Sequence, residues 1–327
     1  MKIIITGANG YIGARLCQYL TTQAHDIIAV CYPSIPDVDY WGKIFYKVFK
    51  GDIREQKTVK QIANLKADAI IHLISLDHYD SEKDLQFVSQ INVLPTWNLL
   101  KECTKTGLKK FIYFSTIHVY GNIENATIID ENHLINTRNT YSLTHYLCEN
   151  ICDHYHRNSN TSVITVRLSN SYGAPIFPEN NCWWLVINDL CKSAYLNKYI
   201  KLLSDGSPQR DFIHGDDLCQ AVELLIKLDK KNIQKAIYHI CSGTTLTILE
   251  LAGKIQTIYK NRYRVTIPVS TSTMDEVEDF NIFRKTQRYM IDNSRLRKIG
   301  FDPVWSLDKG INELFDYMEK HYGAYKR

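Results

Sequence analysis

A chain of 327 residues with 45% hydrophobic and 23% charged content is long enough for one large α/β domain with an added lobe, and it excludes a disordered or fibrous protein. The net charge of +4, from 39 basic and 35 acidic residues scattered along the chain, is too small to point to nucleic acid, although it suits an anionic small molecule. Nine cysteines without a C-x-x-C pair, and no apolar run near the ~20 residues of a membrane span, lead us to expect reduced thiols in a soluble, cytoplasmic protein with no membrane partner.

Residues 1–13, MKIIITGANGYIG, join a β-branched strand to a helix through a loop almost free of side chains. Gly7, Gly10 and Gly13 are spaced G-x-x-G-x-x-G. The first glycine permits the tight turn, the second lets a pyrophosphate approach the backbone, and the third lets helix and strand pack closely. The helix from Tyr11 to about residue 20 then offers its N-terminal amides to the anion. Strand and helix signals alternate from there, predicting a doubly wound parallel sheet with strands at 26–31, 47–49, 69–73, 110–114 and 163–167. Long helices are expected over 85–106, with a kink at Pro95, and over 141–156. Beyond Ser169 the alternation breaks at Pro175, Pro178 and Asn180-Asn181, so residues 1–168 read as the dinucleotide-binding domain and 169–327 mainly as a smaller C-terminal substrate lobe, with later segments returning to the first. A further strand is expected over 238–241, and Thr247 to Glu250 reads as a capping box.

Several segments in order, TGANGYIG, GDI at 51–53, HL at 72–73, NV at 92–93, FSTIHVYG at 114–121, Tyr141 with Glu149, RLSNSYG at 167–173, QRDFIHGDD at 209–217 and FDPVWSLDKGI at 301–311, resemble the extended short-chain dehydrogenase/reductases. The likeness is to the NAD(P)-dependent nucleotide-sugar epimerases, dehydratases and reductases, and it implies a Rossmann-type fold. It also implies catalysis by Tyr141, whose phenolate takes a proton from a sugar hydroxyl as hydride leaves the same carbon, with Thr116 steadying that oxygen. The resemblance assigns cofactor contacts to Gly7, Asn9, Gly10, Tyr11, Ile12, Gly13, Asp52, Ile53, Leu73, Asn92, Tyr141 and His145. Substrate contacts fall to Thr116, Asn170, Asn181 and Arg210, with Arg284 or Arg288 as a further candidate, and no metal is implied.

Three positions depart from the family pattern or leave it open. Relatives carry lysine where His145 stands, so either a weaker activator serves Tyr141 or the chain only binds a nucleotide. Thr116 is followed by Ile117 and His118 instead of the Asp-Glu of sugar dehydratases, and isoleucine cannot transfer a proton. His118 could face the substrate as an auxiliary acid or base, but it is expected to be hydrogen-bonded beneath a loop. The second strand ends in Cys31-Tyr32-Pro33-Ser34 with neither the acidic residue that suits NAD nor a cation for NADP; Arg15 either reaches a 2′-phosphate or lies exposed. The expected activity is epimerisation at C4 of a nucleoside diphosphate-sugar through a transient 4-keto intermediate, as in polysaccharide biosynthesis. The alternatives are an NADPH-dependent reductase of a 4-keto-6-deoxysugar nucleotide and a catalytically silent nucleotide-binding protein. A homodimer through the two long helices is also expected.

Overall fold

The computed structural model describes residues 1–34, 47–124, 127–233, 236–280, 282–283 and 287–323. Seven parallel strands form the central sheet, in the order Ile237–Ile240, Ser162–Leu168, Lys110–Thr116, Ala69–His72, Lys2–Thr6, Asp26–Cys31 and Lys47–Lys50. Chain order reverses between Lys2–Thr6 and Ala69–His72, and ligands of doubly wound sheets bind outside the carboxyl ends of the strands at such a switch point. This is the Rossmann-type sheet expected from the strand and helix pattern.

Both faces of the sheet are covered, which is why its strands read as continuous apolar runs. Ile3 and Ile5 point to the face packed by the helices Tyr11–Thr22 and Gly215–Lys227. Ile4, between them, points to the other, where Gln56–Asn64, Leu94–Cys103 and Thr140–Asn158 lie. The lobe has its own core around the short strands Asn170–Tyr172, Gln209–His214 and Thr245–Thr247 and the helices Val186–Asn197, Ile248–Tyr263 and Leu307–Tyr322. Thr247 and Glu250 form the expected capping box. All nine cysteines are buried, and none is in a disulfide.

The helix expected over 85–106 is irregular where the kink at Pro95 was expected. A short helix, Leu85–Val88, passes through a π-helical turn, Ser89–Val93, into Leu94–Cys103. Pro95 has no amide to offer the carbonyl of Ile91 four residues back, and Ile91 lies in that turn. The same turn carries the side chain of Asn92 to Leu76 N, a bond of 2.8 Å.

Candidate active site

The glycine loop fits a pyrophosphate. Gly7 has φ +70°, a conformation that side chains resist, and accepts Gly10 N at 3.0 Å. A Cβ on Gly13 would fall 2.1 Å from Gly7 O, so only glycine lets the helix approach the loop this closely. Gly10 caps the helix without any side-chain acceptor, leaving amides to face an anion. The lobe closes on the same loop: Tyr11 Oη donates to Gly173 O at 3.2 Å, and the buried Asn180 side chain donates to Asn9 O. Asn180 was not anticipated; its neighbour Asn181, the expected contact, is exposed and lends only its carbonyl to Trp184 Nε1. Ile12 packs half-buried against the core and Leu73 beside it, while Ile53 is buried.

Arg15 overturns both readings made of it. It is 5% exposed, paired with Asp216 and Glu313 and bonded to Ala174 O, so it clamps the first helix to the lobe and has no reach to a 2′-phosphate. Near the end of the second strand, Asp52 instead holds Arg54, whose Nε lies 2.9 Å from both carboxylate oxygens, and the hydrogen bonds from Arg54 keep the Asp52 carboxyl below its usual range. Arg54 also lies 6.0 Å from the rings of Tyr32 and Phe87.

The strand Lys110–Thr116 delivers Thr116 to the carboxyl edge, and the helix Thr140–Asn158, capped by Asn139 and Ser142, delivers Tyr141 and His145 one turn apart. Burial pushes Tyr141 up to about 12, opposed by a hydrogen bond with Thr116. His145 is 4% exposed, and its burial pulls the pKa down to about 3. Both its ring nitrogens have protein partners, Nε2 at 3.2 Å from Ser75 Oγ and Nδ1 at 2.9 Å from Tyr113 Oη. The Ser75 hydroxyl hydrogen goes to Leu76 O at 2.9 Å, so Ser75 accepts from His145 Nε2–H and Tyr113 donates to Nδ1; the network assigns this tautomer. His145 is therefore neutral and held in place, as Asn92 is by Leu76, Ser81 and Thr144.

Arg210 lies on the strand Gln209–His214, two residues before Phe212, which pairs with Asn170, whose Nδ2 donates to Asp211 O at 2.8 Å. His118 is not hydrogen-bonded beneath a loop. Its ring is exposed and 6.3 Å from that of Tyr141. Dense surrounding protein, then Arg210 and His78, hold its pKa down to about 4. Thr116, His118, Tyr141 and His145 thus gather at the carboxyl edge of the sheet, with the charge of Arg210 acting on His118, and the ring of Trp184 lies 6.5 Å from that of His78. Arg288 is committed elsewhere, to Glu250 and Thr245 O, and Arg284 lies outside the described residues.

A family model described as the NAD dependent epimerase/dehydratase family matches residues 3–241. The chain belongs to that family. The low-salt glycan biosynthesis protein Agl12 of Haloferax volcanii is 26% identical over 325 residues, covering 97% of this chain and 98% of that protein. The dTDP-glucose 4,6-dehydratase of Streptomyces antibioticus is 26% identical over 329 residues, covering 97% and 92%. Among solved structures, the UDP-glucose 4-epimerase of Thermotoga maritima with UDP-glucose has a TM-score of 0.81 at 20% identity, covering 98% of this chain and 100% of that one. The UDP-glucuronic acid 4-epimerase of Bacillus cereus in complex with NAD gives 0.79 at 23%, covering 98% and 97%. At these identities the structures speak for the fold alone.

For a member of the NAD-dependent epimerase/dehydratase family, the glycine loop, the bare helix end and the nearby Asp52 are the parts that fit the cofactor. Ser75 and Tyr113 had no local motif; only the fold brings residues 70 and 32 positions away from His145 against its ring.

Proposed function

We propose that this chain is an NAD-dependent epimerase acting at C4 of a nucleoside diphosphate-sugar through a transient 4-keto intermediate. The observation that carries the reading is Tyr141 beside Thr116 at the carboxyl edge of the sheet, with its ring packed edge to face on His145 and near that of His118. Gly7, Gly10 and Gly13 would hold the pyrophosphate of NAD, and Asp52 with Ile53 would border its adenine. Bound NAD would take hydride from the sugar carbon and return it, and would bring a positive ring. Tyr141 takes the C4 hydroxyl proton and returns it, and Thr116 orients that oxygen. From about 12, ionising Tyr141 at neutral pH takes about 7 kcal/mol, and among the described residues no cationic side chain contributes to lowering it. Arg210, with Asn170 on the neighbouring strand, would bind the diphosphate, which a guanidinium pairs through two oxygens at once; Asn181 is a further candidate contact. The epimerase neighbours favour a UDP-sugar. Against dehydration, Ile117 is buried and carries no proton.

The same high Tyr141 pKa favours a second reading. A tyrosine that stays protonated is suited to donate to the C4 oxygen while a 4-keto-6-deoxysugar nucleotide is reduced. Cofactor stoichiometry separates the two. An epimerase interconverts UDP-glucose or UDP-glucuronic acid and its C4 epimer with no net change at 340 nm, whereas a reductase consumes one NADPH per ketone. Binding of NAD without turnover of any sugar nucleotide would leave only a nucleotide-binding role. Nine buried cysteines without a disulfide favour a reducing compartment, and no described helix is long and apolar enough to cross a membrane. We further propose a homodimer, because Leu94, Trp97, Leu143 and Leu147 leave an apolar face open on the two helices packed side by side.

A further inference from the structure

Past the short strand Asn170–Tyr172, residues 173–184 form a strap that runs from the glycine loop toward the substrate side. Its root is tied to the first helix, where Gly173 O accepts Tyr11 Oη at 3.2 Å and Ala174 O accepts Arg15. Farther along, Asn180 grips the loop itself. It is 4% exposed, and both ends of its side-chain amide are used. Phe177 N donates to Oδ1 at 3.1 Å, which assigns Nδ2 as the donor to Asn9 O. Asn9 C=O and Gly10 N–H belong to one peptide unit, and Gly10 N donates to Gly7 O at 3.0 Å. That unit is therefore held at its carbonyl and at its amide, next to the helix end whose free amides face the pyrophosphate. Asn181 follows directly, its carbonyl holds the Trp184 indole at 3.1 Å, and that ring lies 6.5 Å from the ring of His78.

We propose that Asn180 is a positioning residue that couples the two ligands, so that NAD in the glycine loop and the nucleoside diphosphate of the substrate each tighten the binding of the other. Where those ligands sit rests on the reading above. A pyrophosphate fixes the peptide units of the loop that it touches, and through Asn9 O it fixes the strap from Phe177 to Asn181. A nucleoside diphosphate seated beside Asn181 needs the same segment in the same place. Whichever ligand binds first bears the cost of ordering the strap, and the second finds it already ordered. Linkage makes the effect reciprocal: the factor by which NAD tightens the diphosphate equals the factor by which the diphosphate tightens NAD. The bonds from Tyr11 and Arg15 hold the lobe against the helix, upstream of Phe177, whereas the Asn180 bond joins the loop to the residue that precedes Asn181.

The test measures the Kd of NAD for the full chain by calorimetry, without and with saturating UDP, and repeats it with dTDP. In wild type the diphosphate that binds should tighten NAD at least about fivefold, the lower end of usual coupling factors. Asn180→Ser keeps an oxygen near Phe177 N but is too short to reach Asn9 O, and it should bring that ratio to about one while the Kd of the diphosphate alone stays within about threefold of wild type. Asn180→Gln, which restores an amide donor, should recover part of the ratio. A merely structural role would weaken both ligands and leave the ratio in place. A ratio of about one in wild type, or an unchanged ratio in Asn180→Ser, overturns the proposal; should Asn180→Ser fail to fold, the wild-type ratio and that of Asn180→Gln decide it. Wild type that binds both ligands without coupling sinks the coupling alone, whereas wild type that fails to bind NAD, or either diphosphate, sinks the reading above and the coupling with it.

Discussion

Tyr141 and His145 meet edge to face, ring centroids 4.6 Å apart at 69°, and neither ring is charged at neutral pH. The lysine that relatives carry in place of His145 would set a permanent cation beside the phenol. An opposite charge at that distance favours the phenolate. His145→Lys should therefore move the alkaline rise of kcat to lower pH, while Tyr141→Phe should abolish turnover in either background. The substitution also removes the acceptor of the buried Tyr113 hydroxyl, so a loss of about 1–3 kcal/mol in folding stability is expected. Profiles of kcat against pH, with urea melts of the same proteins, check both; a profile unmoved by His145→Lys removes His145 from any influence on Tyr141.

Arg210 is argued to meet the substrate diphosphate and not the cofactor. Arg210→Ala should weaken sugar-nucleotide binding by about 2–5 kcal/mol, the usual loss when one partner of a desolvated charge pair is removed. NAD affinity should be unchanged. Calorimetry with each ligand separately decides the matter, and an equal loss of both would mean a disturbed fold.

Behind the cleft, Arg167 and Glu149 form an ion pair with both side chains 3% exposed, at 2.6 Å, joined by Ser115 and Tyr120. Removing one partner of such a pair leaves a buried charge and typically costs about 3–5 kcal/mol. Arg167→Ala should therefore be far more destabilising than Arg157→Ala, whose ion pair with Asp153 is exposed. Denaturant midpoints of the two variants check the ordering.

Leu143 and Leu147 are each 45% exposed, one turn apart on a helix, and Trp97 on the adjoining helix is 50% exposed. Such a contiguous apolar face suits a self-complementary partner. Leu147→Glu should yield monomer by light scattering at micromolar concentration while keeping the circular dichroism of the parent. A parent already monomeric at that concentration removes the dimer.

Much of this molecule was legible from local pattern, because β-branched runs, glycine spacing and capping residues act over a few positions. The glycine loop and the sheet strands follow from those signals, and the Thr247 box formed as its spacing implied. Arg15 was not legible: two residues after a glycine motif it resembles a phosphate ligand, and only the return of residues 216 and 313 to the same point reveals the clamp. The irregularity in the first long helix was legible at Pro95, but its form, a π-helical turn whose Asn92 side chain accepts Leu76 N from 16 residues away, was not. For His118 the sequence offered two placements, facing the substrate or hydrogen-bonded beneath a loop, and favoured the second, because exposure on a turn is a property of the assembled fold.

The acid side of the stability curve should have two separable stages. Buried His72 and His145 have folded pKa values near 3, both because burial excludes the charged ring. An unfolded histidine binds its proton near 6.5, so their stabilisation is present in full above that value and falls as pH drops from about 6.5 toward 3, about 2 kcal/mol each by pH 5. Glu313 acts later. Burial opposes its ionisation, but the hydrogen bond from His214 at 3.0 Å and the charge of Arg15 hold its carboxyl down to about 2. A carboxyl depressed in this way stabilises the fold above about 4.5 and is lost as pH falls through that value toward 2. Urea midpoints measured from pH 8 to pH 3 should therefore begin to fall below pH 6.5 and steepen below 4.5, and Glu313→Gln should remove the second stage while sparing the first. A midpoint flat between pH 7 and 5 would show that neither histidine is held neutral in the folded protein.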